Sequence, residues 1–266
     1  MTEKKVIDTV CMPHTVDSLV TDFRELGVKN GMTLLVHSSL SSLGWVCGGA
    51  EAVIKALMKV VGEDGTIVMP AQSASNSDPA GWMNPPVPES WWPIIRDQMP
   101  AYCKATTPTR GMGAIVEQFR HFPGVKRSDH PVYSFAAWGK DKEVILENQP
   151  LESGFGEQSP LAKIYELDGE ILMIGVGHDS NTSLHYAENA RCKNQPVTKS
   201  AAISENGQRV WKTFQEIDYD SDCFETIGYH FEQSESFRMM KIGNATCKLI
   251  GQRAMVNFGR DWFEKR

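Results

Sequence analysis

Residues 33–70 read "TLLVHSSLSSLGWVCGGAEAVIKALMKVVGEDGTIVMP". The apolar run "TLLVHSSL" is too short for a helix and passes straight into a hydroxyl-rich turn, so it is read as a strand. "GGAEAVIKALMKVVG" follows with Val53, Ile54, Leu57 and Val61 on one stripe at helical spacing, which marks an amphipathic helix. "GTIVMP" is a second apolar run of the fully buried type, stopped by Pro70. Strand, helix, strand in this order predicts a parallel or mixed sheet with helices on its faces.

Outward from this unit the pattern continues. Upstream, "TVDSLVTDFRELGV" predicts a helix capped by Thr15, with Leu19, Phe23 and Leu26 on one face. Downstream, residues 71–111 break the rhythm: "AQSASNSDPAGWMNPPVPESWWPIIRDQMPAYCKATTPTRG" is rich in Pro, Ser and Trp. It is too long for an ordinary connection, and Trp82, Trp91 and Trp92 argue against disorder. An ordered loop lining a cleft is expected, with a short helix near residues 91–99. "SFAAWG" and "EILMIGVG" read as further strands, and "SPLAKIYEL" as a helix capped by Ser159 and opened by Pro160. After residue 197 come two strand-like pieces, "VTKSAAIS" and "QRVWKTFQEID", and two helical stretches, the last in "GQRAMVNFGRDWFEKR". With no internal repeat and no linker, residues 1–266 are read as a single domain.

Composition bounds the function. The chain is 41% hydrophobic and 23% charged, as in a globular protein with a sizeable core. A net charge of −6 argues against nucleic-acid binding and suits a cationic partner. The beginning, "MTEKKVIDTVCMPHTV", lacks the apolar region of a signal peptide, and no stretch approaches the roughly 18 apolar residues of a membrane span. The six cysteines (Cys11, Cys47, Cys103, Cys192, Cys223, Cys247) are scattered without a C-x-x-C pair, which fits reduced thiols in a cytoplasm.

Four stretches offer chemistry. The turn "HSSLSSLGWVCGG" sets Ser38, Ser39, Ser41 and Ser42 between a strand and a helix, where backbone N–H groups suit a phosphate, a carbonyl or an oxyanion. The plainer alternative is that these serines cap and turn. In "IGVGHDSN" position 180 is Ser where a dinucleotide fingerprint wants a third glycine, so Gly175 and Gly177 are read as turn or close-approach glycines. "TTPTRGMG" places Thr107, Thr109 and Arg110 either to grip an anionic or amide-bearing chain or as a loop feeding a helix near Met112. The seven histidines show no H-E-x-x-H and no Cys/His cluster, so no metal is expected.

The last stretch is "NTSLHYAENA", residues 181–190. Asn181, Thr182 and Ser183 are good caps, so a helix is expected to begin there. His185 then lies in the first turn, where the helix dipole disfavours imidazolium, and Glu188 lies three residues on, on the same face. The pair is either a general base with the acid that orients it or a surface ion pair.

Taken together, "LLVHSSLSSLG", "GTIVMP", "DPAGWMNPPVPESWWPIIRDQMPAY", "TTPTRGMG", "RSDHPVYSFAAWG", "SPLAKIYELDGEILMIGVG" and "NTSLHYAE" resemble, in order, the aminoglycoside 3-N-acetyltransferase family of acetyl-CoA-dependent antibiotic-modifying enzymes. The resemblance implies an α/β fold, a mixed central sheet flanked by helices, distinct from the commoner Gcn-related acetyltransferase fold. It implies acetyl transfer from acetyl-CoA to the 3-amino group of the 2-deoxystreptamine ring of an aminoglycoside. It assigns the cofactor to the turn at Ser38, Ser39 and Leu40 and to Thr107, Thr109 and Arg110, with His185 as base beside Glu188. Glu157, Asp179 and Glu188 are the acidic candidates to face a cationic amino-sugar; Arg110, Lys126 and Arg127 are the candidates for the coenzyme phosphates. Direct transfer requires neither a cysteine nor a metal. Neither nucleic acid nor membrane is implied as a partner, and a homodimer is left open. The competing readings are a cysteine-dependent amidase or thioester hydrolase using Cys192 or Cys103, an acetyltransferase acting on a non-antibiotic amine, and a module that binds without chemistry.

Overall fold

The computed structural model describes residues 3–8, 10–189 and 196–265. Helices α1 (Glu3–Ile7) and α2 (Val16–Leu26) lead into β1 (Thr33–Ser38), α3 (Gly49–Val61) and β2 (Thr66–Pro70). The long loop carries α4 (Trp92–Gln98) and ends at α5 (Gly113–Phe119). Then come β3 (Lys126–Arg127), β4 (Phe135–Gly139), α6 (Lys142–Leu146), α7 (Pro160–Glu166), β5 (Glu170–Ile174) and α8 (Ser183–Glu188). A hairpin of β6 (Pro196–Glu205) and β7 (Gln208–Ile217) follows, then α9 (Phe224–Ser234), β8 (Arg238–Ile242), β9 (Ala245–Gly251) and α10 (Gln252–Glu264).

The central sheet has seven strands in the order β3-β4-β2-β1-β5-β9-β8. β1 runs parallel to both β2 and β5, and the outer strands pair antiparallel, so the sheet is mixed as expected. Both faces are covered, which is why the central strands read as continuous apolar runs. Leu34, Val36, Ile67 and Met69 point into a core with Leu19 and Phe23 of α2 and Ile54 and Leu57 of α3. Their neighbours Leu35, Val68, Ile171 and Met173 point the other way, against Leu161 of α7, Leu184 of α8, Phe231 of α9 and Met255 of α10. β6 and β7 form a ribbon of their own.

Local signals mostly act as read. Thr15 accepts from Ser18 N–H at 3.2 Å, and the Ser18 hydroxyl accepts from Thr15 N–H at 2.9 Å, a reciprocal cap. Ser159 does precede Pro160 at the start of α7, but its hydroxyl makes no capping bond and lies buried without a partner among the described residues. The loop at 71–111 is ordered. Arg96 grips Asp78 with two bonds of 2.9 and 2.8 Å, and Arg209 of the hairpin donates to Met99 O at 2.7 Å. β8 and β9 were not expected from the sequence. Among the described residues no helix is long and apolar enough to cross a membrane.

Candidate active site

In sheets of this kind, ligands bind beyond the carboxyl ends of the parallel strands. A cleft of about 830 Å³ opens there, past the ends of β1 and β5. His37, Ser38, Ser39 and Leu40 at the end of β1, Gly111–Ala114 at the start of α5, Asp179 and Ser180 after β5, and His185 on α8 line it. Two glycines shape the β5 side. Gly175 has φ 63°, and a Cβ there would come within 1.8 Å of Ser42 Oγ; one on Gly177 would meet Glu225 Oε1 at 2.0 Å. Gly175 is a close-approach glycine, as read; at Gly177 the obstacle is the end of the Glu225 side chain, which can swing aside.

His185 is fixed through Glu188. Its Nδ1 lies 2.7 Å from Glu188 Oε2. A carboxylate only accepts, so Nδ1 carries a proton, and in the neutral tautomer Nε2 is the nitrogen with the lone pair. Nε2 has no hydrogen-bond partner among the described residues. The other Glu188 oxygen accepts from Asp220 N–H at 3.0 Å. Glu188 is only 2% exposed, which removes the surface-pair reading. The His185 ring stacks on Phe155 with centroids 4.9 Å apart and planes 5° apart. Tyr219 and Phe224 meet it edge-on at 5.4 and 4.7 Å. One expectation needs correction. α8 spans six residues with His185 third, as near one end as the other, so the helix dipole gives no reason for a neutral ring. Asn181, rather than the N-cap Thr182, makes the cap: its Oδ1 accepts from Ser183 N–H at 3.3 Å.

Of the donors expected in the serine turn, one is engaged and the others are open. Ser39 N–H is already bonded to Ile174 O at 2.9 Å, continuing the β1–β5 ladder. Leu40 and Ser41 begin a short 3₁₀ turn, and their N–H groups have no partner among the described residues. Ser38 Oγ and His37 Nε2 are buried at the cleft wall without partners among the described residues. Burial, with His178 nearby, pushes His37 down to about 3 and keeps it neutral. His178 in turn bonds Glu232 at 2.7 Å, and Glu232 pairs with Lys248.

Several expected site residues lie elsewhere. Thr107, Thr109 and Arg110 are not among the cleft-lining residues. The Thr107 hydroxyl accepts from Cys103 N–H at 2.9 Å, and the Thr109 hydroxyl and N–H donate to Glu117 Oε2 at 2.6 and 3.0 Å. Burial would raise Glu117, but the bonds from Arg120 and Thr109 outweigh it and bring this carboxyl to about 2. The two threonines therefore fasten the loop that presents Gly111–Ala114. Arg110 adjoins Gly111 at the rim and makes one side-chain bond, to Asn84 O at 3.2 Å. Arg127 is buried and donates to Thr107 O, Ala71 O, Ser73 Oγ and Ser134 Oγ, and so has no place at a phosphate. Lys126 pairs with Glu143 at 2.7 Å. Glu157 is not part of the lining either; it accepts from Tyr186 OH at 2.7 Å and lies 3.4 Å from Arg260. Asp179 is at the rim, its N–H donating to Glu225 at 3.0 Å.

Among the described residues no cysteine lines the cleft. Cys103 is exposed on the loop, and Cys192 lies outside the described residues. No group of three or more His, Cys, Asp or Glu among the described residues is placed to hold a metal ion. Phe155, Tyr219, Phe224 and Asp220, which surround the His185–Glu188 pair, were not anticipated.

Comparison with known proteins shows the family. A family model described as Aminoglycoside 3-N-acetyltransferase matches residues 35–264. The SPbeta prophage-derived aminoglycoside N(3')-acetyltransferase-like protein YokD of Bacillus subtilis (strain 168) is 50% identical over 261 residues, covering 98% of this chain and 96% of that protein. The YokD crystal structure matches with a TM-score of 0.96 over 98% of this chain and 97% of that one. AAC-VIa bound to sisomicin matches with a TM-score of 0.87 at 30% identity, over 96% and 99% of the two chains. AAC-IIIb in a binary complex with CoASH matches with a TM-score of 0.85 at 30% identity, over 96% and 98%. Fold and matches define an acyltransferase, and the chain belongs to the aminoglycoside 3-N-acetyltransferase family.

Proposed function

We propose that the protein acetylates the 3-amino group of the 2-deoxystreptamine ring of an aminoglycoside, using acetyl-CoA, by direct attack with His185 as general base. The observation that carries this reading is the His185–Glu188 pair at the cleft wall: Nδ1 is held at 2.7 Å by a buried carboxylate, and Nε2 has no partner among the described residues. The relatives bound to CoASH and to sisomicin support the two substrate classes.

The cleft suits an acyl-CoA on its own chemistry. Ser38 Oγ is an orphaned buried hydroxyl, and the Leu40 and Ser41 N–H groups are unpaired donors a few residues on. Among the described residues no Lys or Arg lines the cleft, so Arg110 at the rim is the cation for the coenzyme phosphates. Acetyl-CoA supplies the acyl thioester. The N–H groups of Leu40 and Ser41 would donate to a carbonyl oxygen gaining charge. His185 takes the proton from the attacking amine at Nε2 as the C–N bond forms, Glu188 stabilises the imidazolium that results, and the C–S bond then breaks, the coenzyme leaving as a thiol with the proton returned from Nε2. Asp179 at the rim attracts the remaining ammonium groups of the acceptor. Glu225, exposed and bonded to Asp179 N–H, adds to the same field.

The test is incubation with acetyl-CoA and a panel of amines, both aminoglycosides and simple polyamines. Free thiol release is followed, and the acetylated nitrogen is identified by mass and NMR. Acetylation at the 3-amino group is expected. Thiol release without acetylated amine would indicate a thioester hydrolase, and acetylation confined to the other amines would indicate a non-antibiotic acceptor.

A further inference from the structure

The plane of the His185 ring is set from outside its own helix. Phe155 stacks on it at 4.9 Å, and Phe155 belongs to a loop turn ahead of α7. That turn is anchored by two residues at the end of β7 and just beyond it. Gly154 N–H donates to Glu216 Oε2 at 3.1 Å, Phe155 N–H donates to Tyr219 OH at 3.3 Å, and Tyr219 OH donates to Glu216 Oε1 at 3.1 Å. The Tyr219 ring also packs edge-on against both Phe155 and His185, at 4.9 and 5.4 Å. The seat is tight: a Cβ on Gly154 would come within 2.5 Å of the Tyr133 ring and 3.1 Å of Glu216 Oε2. The Glu216 side chain is fully buried, 3.9 Å from His130 Nε2. Neither Glu216, Tyr219 nor Phe155 lines the cleft.

A buried carboxyl that accepts from the backbone of one segment, Gly154 N–H, and from the hydroxyl of another, Tyr219, is costly unless it fixes something. We propose that Glu216 and Tyr219 are positioning residues of the reaction: they clamp the Gly154–Phe155 turn so that Phe155 holds the imidazole of His185 in the orientation that leaves Nε2 to the acceptor amine. The inference rests on His185 acting as the base. A proton acceptor must be held within roughly 10–20° of its productive geometry, and a displacement of about 1 Å costs on the order of 10²-fold in rate. The end of the hairpin, outside the central sheet, thereby reaches the chemistry through the Phe155 stack as well as through the Tyr219 ring itself.

Tyr219→Phe and Glu216→Gln are to be measured beside His185→Ala, with kcat, both KM values, the kcat/KM pH profile and the ¹⁵N resonances of the His185 ring. Tyr219→Phe keeps the ring and deletes only the hydroxyl's bonds. It is expected to lower kcat about tenfold with both KM values within about twofold, to move the acid limb of the pH profile, and to move the His185 ring resonances. A merely structural role would lower the melting temperature and leave kcat per folded molecule, the acid limb and the resonances at their wild-type values; that result overturns the inference. Should Glu216→Gln fail to fold, Tyr219→Phe decides. If His185→Ala retains kcat, the base itself has been misassigned, and the ring resonances alone then judge the clamp.

Discussion

Glu188 holds His185 with one oxygen, 2.7 Å from Nδ1, and is itself held through the other by Asp220 N–H at 3.0 Å. The carboxylate is thus aligned from both ends, and the imidazole tautomer follows from it. Glu188→Gln keeps an acceptor oxygen but removes the charge that stabilises an imidazolium. It is expected to lower kcat about 10- to 100-fold, less than deletion of the imidazole, while KM for acetyl-CoA stays within about twofold. Steady-state kinetics with a thermal melt as the folding control checks this.

Arg110 stands at the rim beside Gly111 with a single bond to Asn84 O. As the cation for the coenzyme phosphates, its loss in Arg110→Ala is expected to raise KM for acetyl-CoA about 10-fold, about 1.4 kcal/mol, with KM for the amine unchanged. An equal rise for both substrates would remove it from this role.

The buried histidines predict acid sensitivity. His130 Nδ1 accepts from Val132 and Tyr133 N–H at 3.2 and 2.9 Å, and burial pushes the ring from 6.5 down to about 4. Between those values the unfolded chain binds a proton the folded one refuses. The stability tied to this group is therefore intact above pH about 6.5 and is lost as pH falls toward about 4, at up to about 1.4 kcal/mol per pH unit. His130→Asn offers an oxygen to the same two N–H groups and does not titrate. Urea unfolding at several pH values should show a shallower loss in this variant; equal slopes would mean that His130 is not held neutral.

Much of this was legible because the chain is patterned locally. The β-α-β unit shows itself in the stripe of Val53, Ile54, Leu57 and Val61, and the contact of His185 with Glu188 in their spacing. β8 was not legible: it is an edge strand, with Arg238, Met239 and Lys241 exposed and no alternation to read. β9 did carry a signal, since Ala245, Cys247 and Leu249 are buried and alternate with Thr246 and Lys248. In the site, what sequence hides is which donors are already engaged. Ser39 N–H belongs to the sheet and the Thr109 hydroxyl to Glu117, and no spacing reveals either bond. Phe155 and Tyr219 come from separate loops and meet His185 only in the fold.

The central claim is that His185 removes the proton of the attacking amine. The measurement that tests it most directly is kcat of folded His185→Ala at saturating amine and acetyl-CoA. A fall of about 10²–10⁴-fold is predicted, with acetyl-CoA binding nearly unchanged and with the acid limb of the kcat/KM profile abolished for acceptors of differing amine pKa. A folded His185→Ala enzyme that keeps near-wild-type kcat would contradict it.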